Sequence, residues 1–118
     1  MNTREKGNQA EDKACVFLER KGLTLIARQY RSRLGEIDLI MKDKDTFVFV
    51  EVRSRGYATF GTGIDSINRA KQRKIVQSAV CYLQKNRLLD SVDYRFDVVG
   101  VSSQDIEWIE DAFSYEAH

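Results

Sequence analysis

Two β-rich runs, EIDLIM at 36–41 and TFVFVEVRS at 46–54, flank the charged segment KDKD at 42–45. Alternating apolar residues on both sides of a short polar turn predict an antiparallel hairpin. If the turn is centred between Lys44 and Asp45, Asp38 falls directly opposite Glu51, and Glu36 opposite Arg53. Alternation puts Glu36 and Asp38 on one face of their strand, and Phe47, Phe49, Glu51 and Arg53 on the matching face of the partner. Opposed residues hold their Cβ atoms about 4.5–5.5 Å apart, where like charges destabilise the pair. Two readings of that face stand open. The charges are scattered over a solvated face, with Glu36 and Arg53 as an ordinary ion pair, or a divalent cation sits between Asp38 and Glu51. Mg²⁺ suits the second, being a hard ion that takes oxygen ligands and keeps several waters.

The rest of the chain builds around this hairpin. Residues 5–21 predict a helix with Ala10, Ala14, Phe17 and Leu18 on one face, and Gly22 stops it. Leu23 to about Tyr30 reads as a strand, with Arg28, Arg31 and Arg33 making its end basic. Past the hairpin lies a glycine-rich loop, GYATFGTG at 56–63. Asp65 or Ser66 then caps a helix to about Asn86, whose apolar side carries Ile75, Val76, Ala79, Val80 and Leu83. Residues 92–101 form a strand, 106–109 a short edge strand, and Ala112–Phe113 a final turn. The order αβββαβ, with a short C-terminal β extension, predicts a single domain over 1–118. Its expected form is a three-layer α/β/α fold with a mixed central sheet and a right-handed crossover through the second helix.

Composition limits the chemistry. Apolar residues make up 42% and charged residues 31%, the balance of a folded domain. No apolar run approaches the roughly 20 residues of a membrane span, and the first residues are too polar for a signal peptide. A cytoplasmic protein is expected. The net charge of +1 hides an uneven layout: residues 101–118 hold five of the 18 acids and none of the 19 bases. The first 100 residues therefore carry +6, and the acidic extension at about 102–118 offsets them. The only histidine is His118, and Cys15 and Cys81 form no C-x-x-C pair, so zinc clusters, Cys–His nucleophiles and histidine acid–base chemistry drop out. Carboxylates, Lys, Arg and a metal remain.

The segments G-E-I-D-L-I (35–40), F-V-E-V-R-S-R (49–55), F-G (60–61), K-Q (71–72) and R-F-D-V-V (95–99), with G-x-x-A-E-x-x-A upstream (7–14), run in order along nearly the whole chain. In these the chain resembles the YraN or UPF0102 family, small bacterial proteins similar to archaeal Holliday-junction resolvases and the restriction-endonuclease-like superfamily. The resemblance implies a metal-dependent nuclease core of the type Asp…(Asp/Glu)-x-Lys. Asp38 and Glu51 match its two acidic, metal-binding positions, and Glu11 matches an acid that resolvase-like members add. Arg53 stands where the pattern has lysine. Arginine supplies charge and a bidentate phosphate contact but stays protonated, so it cannot act as a base. The implied catalytic set is Asp38, Glu51, Arg53 and Glu11, with Mg²⁺ or Mn²⁺ held by the three acids. Without the family match, Glu11 is one polar residue on an amphipathic helix. Asp97 also matches the pattern and is expected to be structural.

Arg31, Arg33, Arg55, Arg69, Lys71 and Lys74 lie where strand ends and the second helix converge, a layout suited to a phosphodiester backbone. Tyr57 and Phe60 either stack on unpaired bases or join the core. The expected partner is DNA, branched or single-strand-containing, bound by backbone and shape, with a homodimer acting on two strands. Two other functions stay open. One is a catalytically weak or inactive nucleic-acid-binding module of the same fold. The other is an adaptor in DNA metabolism whose acidic extension binds a basic partner.

Overall fold

A computed structural model of the chain describes residues 3–54 and 67–114, with side chains described from Asn8 onward. The loop at 56–63, the proposed caps Asp65 and Ser66, and the side chains of Arg55, Tyr57 and Phe60 lie outside the described residues.

Helix α1 (Thr3–Arg20) buries Ala10, Ala14 and Leu18, spaced four apart so that they fall on one stripe. It ends as the sequence predicts, at Gly22. The Gly22 N–H donates to the Glu19 carbonyl at 3.0 Å and the Leu23 N–H to the Leu18 carbonyl at 3.1 Å, a Schellman closure. That closure needs φ of +102° at position 22, which glycine takes without a Cβ penalty. Leu18 and Leu23 then pack in the same cluster and turn the chain into β1 (Thr24–Ser32).

Strands β2 (Gly35–Asp43) and β3 (Thr46–Ser54) form the expected hairpin in the expected register, from Asp43↔Thr46 to Leu39↔Val50. Lys44 takes the left-handed turn position at φ +56°. Helix α2 (Arg69–Lys85) carries the chain from β3 to β4 (Tyr94–Val101), which lies parallel to β3 over eight residue pairs. Strand β5 (Ile106–Phe113) returns antiparallel along β4, giving the sheet order β1-β2-β3-β4-β5.

The sheet is covered on both faces. Ala10, Ala14 and Leu18 of α1 pack on Leu39, Met41, Val48, Val50, Val99 and Val101. Ile75, Val76, Ala79 and Leu83 of α2 pack on Ile40, Phe47, Phe49, Phe96 and Val98. Strands β3 and β4 are apolar on both sides because each side meets a helix. The molecule is therefore the three-layer α/β/α fold that the element order predicts.

Two local expectations are corrected. Helix α2 is capped by Asn68, whose side chain accepts the Lys71 N–H at 2.9 Å, rather than by Asp65 or Ser66. An asparagine caps as well as aspartate or serine, and the chain uses the last eligible residue. Ala112 and Phe113 continue β5 instead of turning away. Phe113 stacks on Phe96 with ring centroids 5.2 Å apart, and the buried carboxylate of Asp97 draws in the Asp111 N–H at 2.9 Å. Residues 106–113 of the acidic extension are thus a full sheet strand. Asp97 is fully buried and also accepts from Arg95 Nε at 3.0 Å and Trp108 Nε1 at 2.9 Å. It is a structural tie between β4 and β5, as expected.

Candidate metal centre and nucleic-acid interface

The candidate side chains collect where β2 and β3 separate. Beyond Leu39↔Val50, the start of β2 stays paired with β1, as in Tyr30↔Ile37 and Arg31↔Glu36, while β3 follows β4 to its end. Asp38 is the first residue past the β2–β3 ladder. Its Oδ2 accepts the Val52 N–H at 2.8 Å, so the side chain stands in for a missing ladder bond. This anchor brings Asp38 beside Glu51, whose charge acts on it. Glu51 is only 4% exposed.

Burial is the main cause that raises the Asp38 carboxyl, and the charge of Glu51 adds to it, taking it to about 7. Burial also raises Glu51, while the charges of Lys71 and Arg53 work against that rise. Burial thus disfavours the charged form of both carboxyls in the pair. Lys71, from the first turn of α2, places Nζ 3.5 Å from Glu51 Oε1. Arg53 is half-buried, two residues after Glu51 on the same face of β3.

Glu11 reaches this region from α1, on the opposite layer, and is 8% exposed rather than solvated. Burial raises its carboxyl first and the charge of Asp38 second. Gln29 Nε2 donates to Glu11 Oε1 at 3.2 Å, and Arg28 approaches the same oxygen at 3.5 Å. Arg28 also binds Asp12 at 2.7 Å, so it belongs to α1 and not to an open basic face. Arg28 and Gln29 as partners of Glu11 escape a reading of the sequence. They depend on an irregularity between Leu25 and Ala27 and a left-handed Gln29, φ +51°, which no residue type announces.

A groove of about 440 Å³ opens beside the pair, lined by Gly35, Glu36, Asp38, Asn68, Ala70, Lys71, Lys74 and Ile75. The first turn of α2 carries no acid, so its N-terminal partial charge faces this side unopposed by one. Lys74 lines the groove with Lys71, and Arg69 and Arg73 are exposed on the same helix. Arg31 and Arg33 are exposed at the end of β1 and in the β1–β2 turn, and Arg31 Nε lies 3.7 Å from Glu36. Glu36 stands opposite Arg31 in the ladder, where the hairpin alone had set it against Arg53.

Among the described residues, no three Asp, Glu, Cys or His side chains are grouped tightly enough to enclose a metal ion by themselves. Asp38 and Glu51 form a pair and Glu11 stands off from it. That donor set fits a hard divalent cation which keeps several waters. The half-buried Asp38 and the buried Glu51 bring two acids together, and a divalent cation between them would offset their repulsion.

Fold and site together define a small α/β/α domain with an acidic pair at a strand fork and a basic groove beside it. The chain belongs to UPF0102, described as an uncharacterised protein family, whose model matches residues 10–101. It is 48% identical to a UPF0102 protein of Nitrosococcus oceani over 97% of this chain and 95% of that protein. A UPF0102 protein of Saccharophagus degradans is 48% identical over 93% of each chain, and one of Coxiella burnetii 42% identical over 97% of this chain and 96% of that protein. No helix among the described residues is long and apolar enough to cross a membrane.

Proposed function

We propose that this chain is a metal-dependent endonuclease that hydrolyses phosphodiester bonds in branched or structured DNA. The observation that carries the reading is the Asp38–Glu51 pair, two carboxyl groups forced together at the fork beside Lys71. Proximity of like charges costs stability, and such pairs concentrate at functional sites. Asp38 and Glu51 would hold Mg²⁺ or Mn²⁺, with Glu11 acting through water. The metal would polarise the scissile phosphate and make water a better nucleophile. The chain's own residues do the remaining work. Val52 fixes Asp38, Gln29 and Arg28 fix Glu11, and Lys71, Lys74, Arg69, Arg31 and Arg33 draw the backbone into the groove. Arg55, Tyr57 and Phe60 follow Glu51 in sequence and belong to the proposed DNA-contacting set. A homodimer acting on both strands in the cytoplasm is part of the reading, and the free thiols of Cys15 and Cys81 agree with a reducing compartment.

The test is calorimetric titration of Mn²⁺ into the wild type, Asp38→Asn and Glu51→Gln, with cleavage of a four-way DNA junction in parallel. Heat and cleavage in the wild type alone support the reading, and equal heats in all three remove the metal site. Arg53 favours one second reading, a binding module that has lost catalysis. Junction binding without cleavage, in the wild type and in Arg53→Lys, would establish it. The adaptor function has less support, because Glu110 pairs with Arg95 at 3.2 Å and residues 106–113 are committed to the sheet.

A further inference from the structure

Lys71, Lys74 and Ser78 fall on one stripe of α2, at positions i, i+3 and i+7. The β1–β2 turn keys this stripe to the sheet. The buried Ser78 hydroxyl meets the Ser32 hydroxyl at 3.0 Å, and Ser32 also hydrogen-bonds the Gly35 carbonyl at 3.2 Å. Gly35 lies so close to the helix that an added β-carbon would sit 3.4 Å from both Lys74 Cβ and Ser78 Oγ. This seat fixes the rotation and height of the first turns of α2, and the Asn68 cap fixes the Lys71 backbone. Lys71 therefore reaches Glu51 because the helix is held there.

We propose that Lys71 is a catalytic residue of this site and performs, from α2, the part that the nuclease pattern gives to a lysine two residues after the second acid. The proposal rests on the nuclease reading above. An ammonium group has three N–H donors. One faces Glu51 at 3.5 Å, and the side chain is 44% exposed and lines the groove, where the other two can meet a substrate. They are placed for a non-bridging phosphate oxygen and for the attacking water. In the reaction the water oxygen forms a bond to phosphorus while the bond to one sugar oxygen breaks. The water's proton leaves to solvent and the departing sugar oxygen takes one from solvent. Lys71 keeps its own proton throughout, orients the water and offsets the charge that gathers on phosphate.

The experiment compares wild type, Lys71→Gln and Lys71→Arg in Mn²⁺ calorimetry and in junction cleavage, with kcat and KM measured separately. Because the side chain is half-exposed, its exchange removes little packing. Lys71→Gln should lower kcat about 100-fold, the scale of losing one charged donor at a reacting centre. Its KM should rise no more than a few-fold, and its Mn²⁺ affinity should equal or exceed that of the wild type, because a competing cation has left Glu51. Lys71→Arg should recover at least a tenth of the wild-type kcat. A Lys71→Gln protein that cuts like the wild type overturns the proposal, as does one that loses Mn²⁺ binding and cleavage together, which marks a purely structural role. A wild type that neither binds Mn²⁺ nor cuts removes the nuclease reading and this proposal with it, an outcome distinct from the other two.

Discussion

The Asp38 carboxylate accepts the backbone N–H of Val52 at 2.8 Å, one residue past Glu51 on the neighbouring strand. The bond forms where the β2–β3 ladder ends, and it holds Asp38 against Glu51 although their charges repel. An ordinary fork would let Asp38 swing into the groove and hydrate. The geometry keeps the two acids together and half-starved of water, which is useful to a ligand and unhelpful to the fold.

A direct consequence is a stability that depends on pH with an inverted sign. The Asp38 carboxyl is raised by burial and by Glu51 from its ordinary value near 4 to about 7, so between those values the folded protein binds the proton that the unfolded chain has released. Stability must then fall as pH rises through that window, with a limiting slope of about 1.4 kcal/mol per pH unit. Glu51 and Glu11, both raised mainly by burial, act in the same direction. Urea unfolding in the presence of a chelator, at pH 5 and pH 8, checks this against Asp38→Asn. The wild type should lose more stability than the variant over the interval, and parallel curves would refute the shift.

Asp38→Asn itself should stabilise the metal-free protein at pH 8. The amide oxygen can still accept the Val52 N–H, and the NH₂ can donate to Glu51, so repulsion becomes a hydrogen bond. The expected gain is about 0.5–2 kcal/mol, typical of relieving a functional site. The same variant should lose the rise in melting temperature that Mn²⁺ gives the wild type. Thermal unfolding with and without Mn²⁺ reads both effects, and a destabilised variant would show that the pair supports the fold.

Much of this site is legible in the sequence because a hairpin is a local object. The KDKD turn sets the register, and the register sets Asp38 and Glu51 on neighbouring positions with no knowledge of the remaining fold. Gly22 and the helix faces are local in the same sense. What failed to show depends on contacts distant in sequence. Arg28 looks like a free cation until α1 presents Glu11 and Asp12, 17 and 16 positions earlier. The acidic extension looks like a tail until Asp97 and Phe96 are seen to pull residues 106–113 into the sheet. Nothing in the sequence singles out Lys71 from the other basic residues near the site, because its link to Glu51 crosses 20 positions and passes through the seat of α2 on Gly35.

Asp97 should matter for the fold and not for the reaction. Its buried carboxylate joins Arg95, the Trp108 indole and the Asp111 N–H, and Arg95 in turn reaches Asp43 at 3.2 Å and Glu110 at 3.2 Å. Asp97→Ala leaves these donors without their shared acceptor, a loss of about 3–5 kcal/mol. Urea unfolding should show that drop. Mn²⁺ heats of the fraction still folded should match the wild type, and a change in those heats would link β5 to the metal site.

Arg53→Lys weighs the two cations on Glu51 against each other. Arg53 lies on β3 and Lys71 comes from α2, and the charge of Lys71 is the larger influence on Glu51. A lysine at 53 keeps the positive charge and gives up the planar fork that suits phosphate. If Lys71 already serves the reacting centre, the exchange should alter kcat less than about threefold, with KM rising from the lost bidentate contact. Junction cleavage under Mn²⁺ decides the matter. An increase in kcat of tenfold or more would mean that position 53 limits the wild type, and that the strand, not the helix, carries the catalytic cation.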